Sequence, residues 1–177
     1  LEYRANLTEL MALRVNSELT YFDNTLDDAP TALRWHIAPT LLLPYQKQWG
    51  ELLAEATVMH TYYRQENVEG TALADEVNRT IGQARLYGNL IFERQQEWAG
   101  KQTTLTLEPQ FQYLYISFEE QSDIGLYDTT ILLNDVDGLF RGKEFTGLDR
   151  ISENNQVTLC VTSRLHDQQN KERLVVS

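Results

Sequence analysis

The stretch YQKQWGELLAEATVMHTYYRQ, from Tyr45 to Gln65, decides how the chain is read. Tyr45, Trp49, Leu52, Leu53, Ala56, Met59 and Tyr63 recur at helical spacing, which predicts an amphipathic helix with its apolar stripe turned to a core. The stretches on either side take the same period. Upstream, Leu7, Leu10, Met11, Val15, Leu19, Phe22 and Leu26 form a stripe opposed by Glu9, Arg14 and Glu18. Asp23, Asn24, Asp27, Asp28 and Pro30 then break that helix. Pro39 and Pro44 limit helix between Thr31 and Leu43. Downstream, Thr71 is placed as an N-cap, with Asp75 and Glu76 early in the helix and Leu73, Val77, Ile81, Ala84, Gly88 and Ile91 on the inner face. Trp98 and Gly100 close this third helix.

At Lys101 the period changes to alternation. Thr103 to Leu107 and Phe111 to Phe118 read as strands, the second apolar on both faces and therefore central. Leu126 to Leu133 is a further strand, and 134–138 is turn chemistry leading into Leu139-Phe140-Arg141. Gln156 to Leu165 and Arg173 to Val176 form a last hairpin across the polar segment 166–170. Helices in one block and strands in the next predict an α+β fold. About three long helices form a helical subdomain over 1–102, and an antiparallel β subdomain over 103–177 packs with it as one unit.

Composition narrows the functional classes. The 177 residues carry 26 acidic and 15 basic side chains, a net charge of −11, which excludes a nucleic-acid partner because a phosphate backbone needs a basic surface. A hydrophobic content of 42% is enough for a folded interior. The single cysteine excludes a disulfide framework or a Cys-based zinc site. No apolar run approaches the roughly 18 residues of a spanning helix.

Motifs for catalysis or metal binding are weak. Leu133 to Gly138 resembles the front of an EF-hand loop, with Glu144 at its twelfth position, but Leu133 has no oxygen for the first, and a hairpin turn accounts for the segment better. Asp23, Asn24, Asp27 and Asp28 are read as solvated helix-ending residues rather than a cation site. No metal, cofactor or catalytic residue is expected. Cys160, within Val157 to Val161, is read as a buried inert thiol, and His36, His60 and His166 are isolated. Arg34, Trp35, His36, Tyr45 and Trp49 are the candidate ligand-binding set, with Arg34 supplying charge to an anionic small molecule and the Trp35 indole a stacking wall. Tyr113, Tyr115, Tyr127 and Arg141 form a weaker alternative set.

The chain opens on a helix containing Tyr3-Arg4-Ala5-Asn6-Leu7 and stops on the apolar run Arg173 to Ser177, as if cut from a longer protein. This layout resembles the extracytoplasmic sensor region of a bacterial transmembrane signalling receptor. The resemblance implies flanking membrane spans, a small-molecule or protein signal, a homodimer through the first helix, and the periplasmic side of an inner-membrane protein. A cytoplasmic location follows instead if the chain is no fragment. The function expected is thus a non-enzymatic sensory or ligand-binding domain that relays its signal through the first helix. The alternatives are a protein-interaction adaptor without small ligand and an enzyme fragment with a carboxylate-based site.

Overall fold

From Ala32 to Leu42 every second side chain is buried and those between are exposed or half-buried, a period of two that only a strand produces. The computed structural model describes residues 1–24, 29–98, 100–133, 137–169 and 171–177. It contains β1 (Glu2–Thr8), β2 (Met11–Phe22), β3 (Thr31–Lys47), β4 (Gly50–Glu66), β5 (Glu76–Leu90), β6 (Phe92–Trp98), β7 (Lys101–Ile116), β8 (Asn154–Asp167) and β9 (Glu172–Val176). All pair antiparallel in one nine-stranded sheet ordered β1-β2-β3-β4-β5-β7-β8-β9. β6 continues β5 beyond Ile91 and pairs with β7 in the same register.

The α+β expectation is therefore overturned. Among the described residues there is no α-helix, only a 3-10 turn at Asp137–Phe140, and the three expected helices are strands. The stripe that suggested a helix from Tyr45 onward belongs to two strands and a turn. Tyr45 closes β3, Trp49 lies in the hairpin turn, and β4 places Leu53, Met59 and Tyr63 on one face and Leu52 and Ala56 on the other. The expected division at 102/103 falls in the first residues of β7. The expected last hairpin is present as β8 and β9. In place of a strand entered through a hairpin turn, Leu139 and Phe140 lie in the 3-10 turn; residues 134–136 lie outside the described residues.

The connections differ at the two ends of the sheet. Tight turns join β1 to β2, β3 to β4, β6 to β7 and β8 to β9 at one end. Longer segments join β2 to β3, β4 to β5 and β7 to β8 at the other. The ladders also step sideways: Gly50, at the β3–β4 tip, stands opposite Leu90, whereas β6 runs on to Trp98. Such stagger tilts strands within a sheet.

The faces are inverted relative to a water-soluble sheet. Registers place Leu13, Val15, Leu19, Tyr21, Leu33, Trp35, Ile37, Leu41 and Leu43 on one face of β2 and β3. Arg14, Asn16, Glu18, Thr20, Arg34, His36 and Thr40 occupy the other. In β8, Val157, Leu159 and Val161 are 64%, 74% and 53% exposed, while Thr158 and Thr162 on the opposite face are 5% and 8% exposed. The apolar face is thus the open one. Gly88 on that face admits the Phe111 ring of β7, which a Cβ at that position would overlap.

The long β7–β8 connection folds back over the polar face. Ile124 and Tyr127 pack with Tyr63 and Val77, and Ile151 packs with Ile81, Leu114 and Ile116. Farther along, Phe140 meets Tyr87 edge to face at 6.4 Å.

Candidate functional site

The polar face carries a site where β2, β3, β4 and β5 hold the β7–β8 connection. β3 presents Arg34 on this face, between Thr20 of β2 and Tyr63 of β4 in the ladder. Its guanidinium is 1% exposed as a residue and serves three carboxylates. Nη1 donates to Asp128 Oδ1 and to Asp149 Oδ1, both at 2.9 Å. Nη2 donates to Asp128 Oδ2 at 2.6 Å and to Glu18 Oε1 at 2.7 Å. The Asp128 contact is the two-pronged geometry that guanidinium makes with carboxylate. The Phe22 ring lies 4.7 Å from the Arg34 carbon and stacks on Tyr127 at 5.2 Å.

Asp149, fully buried, is the centre on the connection's side. Its Oδ2 accepts the backbone N–H of Tyr127 at 2.7 Å and of Asp128 at 2.8 Å, and Tyr63 donates its hydroxyl to Oδ1 at 3.1 Å. A carboxylate so enclosed is stable in the interior because each lone pair finds a donor. Gly147 makes room for this arrangement: its φ is 58°, and any side chain there would overlap Asp128.

Arg79 of β5, also 1% exposed, holds the same connection by its backbone. It donates to the carbonyl of Asp149 at 3.0 Å, to that of Leu148, and to Gln121 Oε1 at 2.7 Å. Gln65 of β4 completes the grip. Its Nε2 donates to the carbonyls of Ala74 (2.6 Å) and Asp123 (2.9 Å), and its Oε1 accepts from Gly125 N–H and the Tyr127 hydroxyl. Within the connection, hydrogen bonds from Arg34 hold the Asp128 carboxyl below the usual carboxylate range, against an opposing effect of burial. Burial, reinforced by Asp149, pushes the Tyr127 phenol up to about 12. Two guanidiniums, three carboxylates and a glutamine thus clamp a segment folded in from the long-connection end.

The candidate residues read from the sequence divide between the two faces. Arg34 and His36 are buried on the polar face, His36 Nδ1 lying 2.9 Å from Thr61 Oγ1. Trp35 and Tyr45 lie on the apolar face and Trp49 at the β3–β4 tip; Tyr45 and Trp49 approach to 6.3 Å. Trp35 meets instead the His60 ring at 6.2 Å. Of the weaker set, Tyr113 and Tyr115 are exposed on the apolar face and Tyr127 belongs to the clamp. Arg141 borders a cavity of about 250 Å³ with Leu114, Asn154 and Gln156. Cys160 is half-buried on the polar face. Glu18, Gln65, Arg79, Asp128 and Asp149 were not singled out, and the separations of 94 and 115 residues between Arg34 and its two aspartates leave no local signal for them.

Among the described residues no cluster of His, Cys, Asp or Glu suits a metal ion. The EF-hand-like segment and the acidic cluster around Asp23 fall partly on 134–136 and 25–28, outside the described residues.

An up-and-down antiparallel sheet with one apolar, open face and one polar face on which a long connection is clamped is the class of structure to which this chain belongs. The comparisons are specific. The chain belongs to the LptD family, whose model, "LPS transport system D", matches residues 1–177. It is 59% identical over 177 residues, all of the chain, to "LPS-assembly protein LptD" of Pseudoalteromonas atlantica. It is 44% identical over 98% of the chain to the protein of that name from Shewanella frigidimarina, and 42% identical over 93% to that from Escherichia coli K12. The chain spans 23%, 23% and 22% of the length of these relatives.

Membership of this family overturns the resemblance to a signalling receptor, and with it the sensory function. The adaptor and enzyme-fragment alternatives fall with it. The expected signal, the flanking spans and the placement on the periplasmic side of an inner-membrane receptor fall with that resemblance, and the dimer through a first helix has no helix to form it, since residues 2–8 and 11–22 are strands. No helix of the described residues is long and apolar enough to cross a membrane.

Proposed function

We propose that this chain is a section of the wall of a β-barrel that crosses an outer membrane. The whole protein then assembles or transports the LPS for which its relatives are named. The inverted faces carry the reading. A sheet in water turns Leu, Ile and Val inward, whereas one in lipid turns them outward and lines its lumen with polar groups. On the apolar face of β3, Trp35 and Tyr45 flank Ile37, Leu41 and Leu43. The ten residue steps from Trp35 to Tyr45 measure about 33 Å along a strand. At a tilt of about 40° this is a band about 25 Å tall, the height expected between two aromatic girdles. Tight turns at one end and long connections at the other match the two sides of such a barrel, the long connections facing outward.

The clamp then has a task. The β7–β8 connection, held by Arg34, Arg79 and Gln65, narrows the lumen near its outer end and fixes the path left for cargo. Arg34, one of the five residues chosen from the sequence for an anionic small molecule, is occupied instead by the connection's own carboxylates.

A pair of substitutions in the full-length protein tests the wall reading. Leu159→Arg, on the apolar face, should destabilise the bilayer-inserted protein by about 2–4 kcal/mol, the cost of a cation near the membrane midplane. Gln110→Arg, on the polar face of β7, should cost far less. Equal effects, or a protein that stays folded and monodisperse in water without detergent, would overturn the reading.

A further inference from the structure

On the polar face of β1 and β2, nearer the tight-turn end than the clamp, Arg4 stands directly opposite Arg14. Like charges in directly opposed positions repel, so the pair is unfavourable unless something negative lies against it. Nearby carboxylates are poorly placed to supply that charge. Arg14 Nη2 reaches Glu55 Oε1 at 3.3 Å, but Glu55 also takes Arg85 Nη1 at 3.0 Å, so one carboxylate serves two guanidiniums. Glu18 is bound to Arg34 at 2.7 Å. Glu2 shares the face of Arg4, with no ion pair to either arginine among the described residues. Arg14 Nε is buried without a hydrogen-bond partner, and Arg4 is exposed. In a chain of net charge −11, positive charge in excess of its partners is gathered here.

We infer that Arg4 and Arg14 form an anion subsite on the inner wall that takes a phosphate group of the cargo. Paired guanidiniums present planar forks of N–H donors that match phosphate oxygens, as lysines do not. The inference rests on the wall reading, which makes this face a lumen.

The test uses the full-length protein in detergent micelles with three probes: LPS carrying its phosphates, the same LPS after phosphatase treatment, and inorganic phosphate as competitor. A photo-crosslinking residue at Gln110 reports whether LPS reaches the inner wall at all. Arg4→Gln/Arg14→Gln should weaken binding of the phosphorylated form by at least about tenfold, as expected for losing charge-assisted hydrogen bonds. Binding of the dephosphorylated form should stay unchanged, and Arg4→Lys/Arg14→Lys should recover only part of the loss. Competition by inorganic phosphate at millimolar concentration supports a site for the phosphate group itself, and its absence assigns the site to phosphate presented on the glycolipid. Crosslinking at Gln110 with no dependence on the arginines overturns this inference alone. Absence of crosslinking together with no binding overturns the wall reading as well. Thermal unfolding is followed in parallel: a double Gln variant that is destabilised but binds phosphorylated LPS normally assigns the arginines to a carboxylate of an adjoining strand and overturns the subsite.

Discussion

Arg34 and Asp128, 94 residues apart in sequence, are joined by two parallel hydrogen bonds of 2.9 and 2.6 Å, and the bond pair fixes the β7–β8 connection to the wall. The same guanidinium compensates buried Asp149, so removing it strands a charge. Arg34→Leu should therefore cost about 3–5 kcal/mol at the clamp, the range for breaking a buried pair by deleting one partner. Hydrogen exchange at the Tyr127 and Asp128 amides, which donate to Asp149, reads the loss. Arg34→Leu/Asp149→Asn should recover part of the protection, since the stranded charge is then gone. Unchanged exchange in Arg34→Leu would show that the connection is held by its apolar contacts alone.

The clamp should open at both ends of the pH range, with opposite signs. Arg34 lowers the folded-state pKa of Asp128, so the carboxylate contributes fully above its unfolded value near 4. That contribution is lost as pH falls through the lower folded value. Tyr127 is raised to about 12, so its neutral phenol contributes below the unfolded value of about 10. This second contribution disappears as pH rises from about 10 to about 12. Proteolytic nicking within 117–133 against pH should show a plateau between these limits. Asp128→Asn should flatten the acid limb and Tyr127→Phe the alkaline one.

The second half of the chain was more legible than the first because its strands alternate within short windows. Gln156 to Leu165, and Phe111 to Ile116 of the expected Phe111 to Phe118, lie in strands for that reason, whereas the strand expected from Leu126 to Leu133 is reduced to a single bridge at Ile131. In the first half the polar face also carries Ala12, Ala32, Ala38, Leu42, Met59, Val77 and Ile81. These fill the gaps between outward Leu, Ile and Trp residues and create chance spacings of three and four. A period-two reading would have put Arg34 and His36 on one face of β3, and the β2–β3 register adds Glu18 to it. Their partners in the connection would still be invisible, because only the folded β7–β8 segment brings Asp128 and Asp149 to them.

Gly88 and Phe111 make a knob-and-socket contact across β5 and β7 on the apolar face. Gly88→Val should destabilise the protein by about 1–3 kcal/mol, the usual cost of overpacking, because the ring and the Leu52 side chain both occupy the space. Gly88→Val/Phe111→Ala should return most of that loss in a denaturant titration. If the single and double variants are equally unstable, the penalty arises from the β5 backbone and not from the ring.

Trp35 and Trp49 lie toward opposite ends of the apolar face, one near the long connections and the other at the β3–β4 tip. Both are partly exposed, at 41% and 50%, and aromatic side chains of this kind settle at the headgroup level of a bilayer. Variants of the full-length protein retaining only one of these tryptophans, reconstituted in vesicles, should each be quenched more strongly by bromine placed high on the acyl chain than near its end. Leu41→Trp, near the middle of the Trp35–Tyr45 span on the same face of β3, should show the reverse order. The contrast depends on depth alone, so it tests the orientation of the wall without reference to cargo. Equal quenching of all three positions at every depth would mean that β3 lies flat against the membrane or outside it.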